Sequence, residues 1–288
     1  MNRINRKVYK KEWSDFISKN ISSMREDDLL RSLRTVQGSQ SPVMKFNGKE
    51  MIMMSSNNYL GLADHPAIIR SSTQATTKYG SSSAASPLLS GFMQIHESLC
   101  RLISSWKEKE KTILFGSGFL ANIGIISSLM SKEDTIFSDE LNHASIIEGC
   151  RLSPAEVKIY PHNNLSILSK FLKQSNKRSK RLIVVDGVFS MDGDLAPLDE
   201  IVSLAQKFNA LLLVDEAHAT GILGRKGSGV ASLFKVEEEV DISMGTLGKS
   251  LASYGAFVSS KSDLIDYLTN KARTFVYSTS IPPSAVAS

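Results

Sequence analysis

Asp215 and His218 lie just past the apolar run Leu211-Leu212-Leu213-Val214, and Thr246-Leu247-Gly248-Lys249 follows about 35 residues after the aspartate. A carboxylate at a buried strand end is costly unless it is paired, and a protonated ring nitrogen is one partner it can salt-bridge. A histidine three positions on can reach a neighbouring ring oxygen. A lysine flanked by small residues, with a hydroxyl three positions earlier, can form an imine beside a bound phosphate. Together these groups are the parts of a pyridoxal-phosphate (PLP) site. No metal, nucleotide or hydrolase chemistry uses all of them at once.

Other polar or glycine-rich segments stand at comparable positions. Gly116-Ser117-Gly118-Phe119 leads from an apolar run into a helical pattern, where free N–H groups at a helix start suit a phosphate. A tight strand-to-helix turn would ask for the same glycines. His143 opens a helix after Leu141-Asn142; it is either a cap or a flat ring able to stack on a heteroaromatic ring. Asp186 to Asp194 is an acidic loop without the alternate-position ligands and distant closing Glu of a calcium loop. Asp215 could instead cap the next segment, and His218 could be a core histidine, although Gly221 and Gly224 favour an open loop. Gly248-Lys249-Ser250 is not a nucleotide loop, because position 243 is Ser where the first glycine of such a loop belongs.

The elements needed to carry these residues are legible as short apolar runs alternating with helical patterns. Strands are expected at 51–54, 112–115, 135–137, 157–160, 182–185, 211–214 and 241–244. Helices are expected around 96–108, 119–130, 165–172 and 198–208, with one after His143 and an amphipathic one over 13–33 in an arm ending near Gly38. Non-alternating apolar strands separated by helices predict an α/β fold with a mostly parallel central sheet flanked by helices. In such sheets ligands bind outside the carboxyl ends of strands. That edge is where Gly116–Phe119, His143, Asp186–Ser190, Asp215–His218 and Lys249 all fall.

Composition narrows the class further. The chain has 288 residues, 42% hydrophobic, 22% charged, with a formal net charge of +5. That suffices for a large core, and the positive charge is scattered apart from Lys177-Arg178-Ser179-Lys180-Arg181. This run is expected to be a solvated helix end. No aromatic-interleaved basic stripe supports nucleic-acid binding. The two cysteines, Cys100 and Cys150, lack metal-ligand spacing and are expected to be reduced and packed. No apolar run reaches the ~18 residues of a membrane span and there is no signal-like start, so a cytoplasmic protein without membrane or metal is expected.

With these residues in view, the chain resembles the α-oxoamine synthases, fold-type-I PLP-dependent acyltransferases. The resemblance runs from about Leu30 to the last residue. It includes Ser56-Asn57-Asn58-Tyr59-Leu60-Gly61-Leu62, Ser117-Gly118-Phe119-Leu120-Ala121-Asn122, Asn142-His143-Ala144-Ser145, Gly187 to Asp194, Asp215-Glu216-Ala217-His218, Thr246-Leu247-Gly248-Lys249 and Tyr277-Ser278-Thr279-Ser280-Ile281-Pro282-Pro283. The segments 117–122 and 277–283 are most similar to the members that condense L-alanine with a pimeloyl thioester, on CoA or a carrier protein, in biotin biosynthesis. Glycine C-acetyltransferase, 5-aminolevulinate synthase and serine palmitoyltransferase are the sister activities, and an amino-group exchange or an inactive PLP-binding homologue are the others weighed. Residues 80–86 and 249–255 carry serines and alanines where relatives are richer in glycine.

The resemblance implies pyridoxal 5'-phosphate as cofactor and a role for each matching residue. Lys249 holds the cofactor and, once freed, takes the Cα proton. Asp215 keeps the pyridine nitrogen protonated, His218 bonds the ring oxygen, and His143 stacks on the ring and borders the substrate. Gly118 and Phe119 amides with the Thr246 hydroxyl hold the phosphate, Ser190 lies beside the ring, and Arg31 matches a substrate-contacting position. It also implies a homodimer, with an amino acid and an acyl thioester as the small-molecule partners. The expected domains are a helical arm over 1–48, a large PLP-binding α/β domain over 49–275, and over 276–288 the start of a small C-terminal domain that is otherwise missing.

Overall fold

The computed structural model describes residues 10–288, so the first nine residues of the expected arm lie outside the described residues. The chain divides into two compact units: one comprises the residues up to Gly38 with Val43–Ile52, the other Ser39–Pro42 with Met53–Ser288.

The first unit holds helix α1 (Lys11–Glu26) and a hairpin of β1 (Val43–Phe46) and β2 (Lys49–Ile52). The helix expected to reach residue 33 stops seven residues earlier. Asp28 takes a left-handed φ of 55°, and the Leu29 N–H closes back onto the Met24 carbonyl, so Leu29, Leu30 and Leu33 fall outside the helix. The hairpin turns at Asn47-Gly48, both with positive φ, the dipeptide that matches the right-handed twist of paired strands. Strand β1 had no counterpart in the sequence reading, and β2 lies two residues earlier than expected.

The second unit runs α2 (Pro66–Tyr79), a short π-helical turn (Pro87–Gly91), α3 (Gln94–Trp106), β3 (Lys111–Phe115), α4 (Gly118–Leu129), β4 (Thr135–Asp139), α5 (Ala144–Leu152), β5 (Glu156–Tyr160), α6 (Leu165–Gln174) and β6 (Arg181–Asp186). It continues with α7 (Leu198–Phe208), β7 (Leu211–Asp215), α8 (Val230–Phe234), β8 (Ile242–Thr246), β9 (Ala256–Ser260), α9 (Ser262–Lys271), α10 (Arg273–Val276) and α11 (Pro283–Ala287). Seven strands form one sheet in the order β3-β9-β8-β7-β6-β4-β5. Neighbours are parallel except β9, which is antiparallel to both β3 and β8. The expected mostly parallel α/β fold is therefore the one observed. The reversed strand β9 was not anticipated; its Ala-Phe-Val-Ser-Ser is too short and mixed to be distinctive.

Alternation along the strands explains why helices cover both faces. Leu182, Val184, Leu213, Ile242 and Met244 point to one side and pack with α4, α5 and α9 through Ile125, Ile146, Cys150 and Leu268. Ile183, Val185, Leu212 and Val214 point to the other and pack with α6 and α7 through Leu168, Leu172, Ile201 and Val202. Both faces are buried, so the strands read as unbroken apolar runs. Because six of the seven strands share one direction, their last residues stand along one edge: Phe115, Asp139, Tyr160, Asp186, Asp215 and Thr246.

The basic run at 177–181 is corrected by its last member. Arg181 opens β6, is buried, and donates to the Ser175 hydroxyl at 2.7 Å and to the Phe208 and Asn176 carbonyls at 2.6 and 3.0 Å. It staples α6 and α7 to the sheet instead of facing solvent. Arg181→Ala is expected to lower stability by about 1–3 kcal/mol, since two carbonyls lose a charged donor in a buried place; urea unfolding of the variant measures it. Both cysteines are free and buried in helices, as expected.

Candidate active site

Each strand that ends at this edge delivers polar groups that the next turn or helix then fixes. Asp215 closes β7 and is buried, in register with Asp186 at the end of β6. Its Oδ1 accepts the Ala217 N–H at 2.9 Å, a local turn contact, and its Oδ2 accepts from Asn122 Nδ2 at 2.7 Å. Both donors are neutral. Among the described residues no ion pair reaches Asp215, although it is a carboxylate removed from water. Burial raises its affinity for a proton, and Lys249 and His143 oppose that only at a distance. Asp186 is in the same difficulty: burial first, then the charge of Asp215, push it up to about 8. Two acids side by side at buried strand ends form a place prepared for a cation.

Lys249 lies in the turn after β8, with its Nζ 2.9 Å from His218 Nε2. Burial lowers the lysine's proton affinity, partly offset by Asp215 and Asp186. A larger neutral fraction makes the amine both nucleophile and base. His218 is pushed down to about 4 by burial and then by Lys249, so it is neutral near pH 7. Its Nδ1 stands 2.7 Å from the Tyr59 hydroxyl. His143 precedes α5 and caps it, its Nδ1 accepting the Ser145 N–H at 3.2 Å, while its own N–H donates to Asp186 Oδ2 at 2.8 Å. The capping alternative raised by the sequence is thus true, and the ring stands exposed at the sheet edge all the same.

Gly118 and Phe119 are the first two residues of α4. Ser117 caps that helix by accepting from the Leu120 N–H at 3.2 Å, leaving the amides of the first turn free of intrahelical partners. A Cβ on Gly118 would stand 2.7 Å from Thr246 Cγ2, so this helix start and the end of β8 are in close approach. The Thr246 hydroxyl donates to the Ala217 carbonyl at 3.3 Å. Ser190 is exposed in the turn after β6 and makes no hydrogen bond to the gathered residues. Arg31 belongs to the first unit, exposed on irregular backbone, and is not among the residues that the sheet edge brings together.

Four participants were quoted in motifs without being given roles: Asn122, Ser145, Asp186 and Tyr59. Asn122 had a usable signal, being an amide in the middle of the apolar α4 sequence, where burial demands a partner. Asp186 repeats the pattern of Asp215, an acid at the end of four apolar residues. Tyr59 offered none, since its partner lies 159 residues away. Glu216 was missed as a structural residue. It is buried beside Asp215, accepts from the Val230 and Ala231 N–H groups at 2.8 and 3.0 Å, and thereby anchors α8 against the strand end.

The substitution Gly118→Ala tests the close approach at this edge. The added methyl displaces Thr246 or the first turn of α4, so affinity for a phosphate-bearing ligand is expected to fall about tenfold or more. Thermal stability, measured in parallel, moves much less, because α4 is exposed at that turn.

Comparison with known proteins agrees with this geometry. Residues 49–288 match the family described as Aminotransferase class I and II. The chain is 47% identical over 271 residues to 8-amino-7-oxononanoate synthase of Geobacter sulfurreducens, covering 94% of this chain and 69% of that protein. Among solved structures, a serine palmitoyltransferase from S. paucimobilis with bound PLP and myriocin superposes with a TM-score of 0.89 at 32% identity, covering 96% of this chain and 70% of the other. The 8-amino-7-oxononanoate synthase of Francisella tularensis superposes with a TM-score of 0.70 at 31% identity, covering 81% and 65%. A PLP-type edge on a seven-stranded sheet and this degree of identity lead to one conclusion: the chain belongs to the aminotransferase class I and II family, among its α-oxoamine synthases.

Proposed function

We propose that this chain binds pyridoxal 5'-phosphate and catalyses the decarboxylative condensation of L-alanine with a pimeloyl thioester, giving 8-amino-7-oxononanoate for biotin synthesis. The observation that carries the reading is the buried Asp215 carboxylate, held only by neutral donors and placed on the same edge as Lys249 and His143. The residues fit the cofactor. Asp215 would take its protonated ring nitrogen, His143 its ring face, Lys249 its aldehyde carbon, and the Gly118 and Phe119 amides with Thr246 its phosphate. Ser190 and Arg31 are assigned on resemblance to the ring edge and the substrate. When bound, PLP supplies an electron sink for the charge left on a substrate carbon.

The chain's own groups do the remaining work. Asp215 holds a proton on the ring nitrogen, and its desolvation, a cost in the free protein, becomes a strong pairing once a cation faces it. Lys249 Nζ, kept partly neutral by burial, accepts the Cα proton of the amino acid and can return one to product. His218 Nε2 fixes the position of that amine, and Tyr59 fixes His218. The leaving thiol and carbon dioxide carry off the remaining atoms of the two substrates, one from the acyl donor and one from the carboxylate of the amino acid.

Alanine and a pimeloyl thioester are assigned from the similarity at 47% identity to an 8-amino-7-oxononanoate synthase, against 32% to serine palmitoyltransferase. The acyl carrier is CoA or a carrier protein, the assembly a homodimer, and the location the cytoplasm; among the described residues no helix is long and apolar enough to cross a membrane. The test is a mass-spectrometric assay of the PLP-loaded chain with alanine, glycine or serine against acetyl-, pimeloyl- and palmitoyl-CoA. The expected product is 8-amino-7-oxononanoate from alanine and pimeloyl-CoA. Preference for serine with palmitoyl-CoA, or for glycine with acetyl-CoA, contradicts the assignment.

A further inference from the structure

Asn122 sits fully buried on α4, between two residues already placed at the site. One of its amide hydrogens goes to Asp215 Oδ2 at 2.7 Å and the other to the Ser145 hydroxyl oxygen at 2.9 Å. Ser145 Oγ in turn lies 2.7 Å from His143 Nδ1. The directions along this chain are not free. The backbone N–H of Ser145 points at His143 Nδ1 from 3.2 Å, and that hydrogen cannot be moved elsewhere, so Nδ1 must offer a lone pair. The Ser145 hydroxyl already accepts from Asn122 and therefore spends its own hydrogen on Nδ1.

At the other end, an ionised Asp215 presents only lone pairs. It requires the NH₂ side of Asn122 and forbids the carbonyl side, which at 2.7 Å would repel it. The amide oxygen consequently has no partner although it is buried, the cost of this orientation. Among the described residues no group bonds His143 Nε2.

We infer that Asp215, Asn122 and Ser145 form a relay that fixes the tautomer of His143, with Nδ1 as acceptor and the proton on Nε2, so that a donor faces the ligand side. The inference rests on the proposed site, in that His143 is taken to border the ligand, but the relay itself lies wholly within the chain. Asn122 and Ser145 are positioning residues: they act on the ligand through His143 and Asp215. A packing role alone would ask only for shape at these places, whereas the relay asks for a donor at Asn122 and a hydroxyl at Ser145.

The experiment is nitrogen NMR of the cofactor-free chain labelled with ¹⁵N-histidine, His143 being assigned from the signal lost in His143→Gln. The wild type is expected to show His143 with Nε2 protonated and Nδ1 as a hydrogen-bonded acceptor. In Ser145→Ala and Asn122→Ala the Nδ1 resonance moves toward that of an unbonded acceptor, and the Nε2–H preference over the other tautomer falls about fivefold, the worth of one hydrogen bond. Ser145→Ala deletes one oxygen and keeps the backbone N–H, so it serves where Asn122→Ala does not fold.

A wild-type signal with the proton on Nδ1 overturns the inference. So does a His143 signal unchanged in Ser145→Ala. Borohydride fixation of PLP on wild type, run beside it, judges the site separately. Failure of fixation with the expected nitrogen signals removes the cofactor reading and supports the relay; successful fixation with the wrong tautomer does the reverse.

Discussion

Asp215→Asn is expected to make the cofactor-free chain more stable and the enzyme nearly inactive. The carboxylate is buried beside Asp186, and burial raises its proton affinity in the folded state. Ionising it near pH 7 therefore costs folding energy. An amide of the same shape keeps the bond from the Ala217 N–H and a contact with Asn122, and removes that cost. A gain of about 1–3 kcal/mol follows, or roughly 2–9 °C in Tm for a chain of this size.

The pH dependence carries the same sign. Asp186, pushed up to about 8, binds its proton more tightly folded than unfolded. The stability this contributes is complete below the unfolded carboxylate range and is lost as pH rises toward 8. In Asp215→Asn the repulsion from residue 215 is gone, so the loss is smaller and occurs at lower pH. Activity moves the other way: a neutral amide cannot hold a proton on a ring nitrogen, and turnover is expected to fall at least about a thousandfold. Thermal melts of the free chain from pH 5 to 8, with turnover on the same preparations, check both halves. An Asn variant that is less stable and still active would refute the charge argument.

Lys249→Ala is expected to abolish turnover, with a loss of about 10⁴-fold or more. It removes both the covalent attachment and the base, each of which contributes several orders of magnitude. The fold tolerates the change, because Lys249 stands in a turn and its Nζ bonds only His218. Added methylamine should restore a small part of the proton-transfer rate, since a free amine can enter the space left by the side chain. Full activity in the alanine variant would move the base to another residue.

How much of this could be read from the chain follows from how local each signal is. The strands β6, β7 and β8 were visible because both of their faces are buried, which leaves unbroken apolar runs in the sequence. Asp215, His218 and Lys249 were visible because each follows such a run at a fixed offset. The reversed strand β9 was not, since antiparallel placement is decided by the sheet neighbours β3 and β8 and not by its own five residues. Arg181 was misjudged because charge composition says nothing about a carbonyl 27 residues away that needs a donor. The relay through Asn122 was hidden for a related reason: its partners lie 23 and 93 residues off, and only the packed α4–α5 pair brings them together.

The most direct test of the central claim is peptide mapping after reduction. The chain is mixed with PLP, treated with borohydride, digested, and searched by mass spectrometry for the reduced pyridoxyl phosphate group. The account predicts one stoichiometric modification, on Lys249, absent in Lys249→Ala and weakened in Gly118→Ala. Modification spread over surface lysines, or a stoichiometric adduct on any lysine other than Lys249, would contradict it.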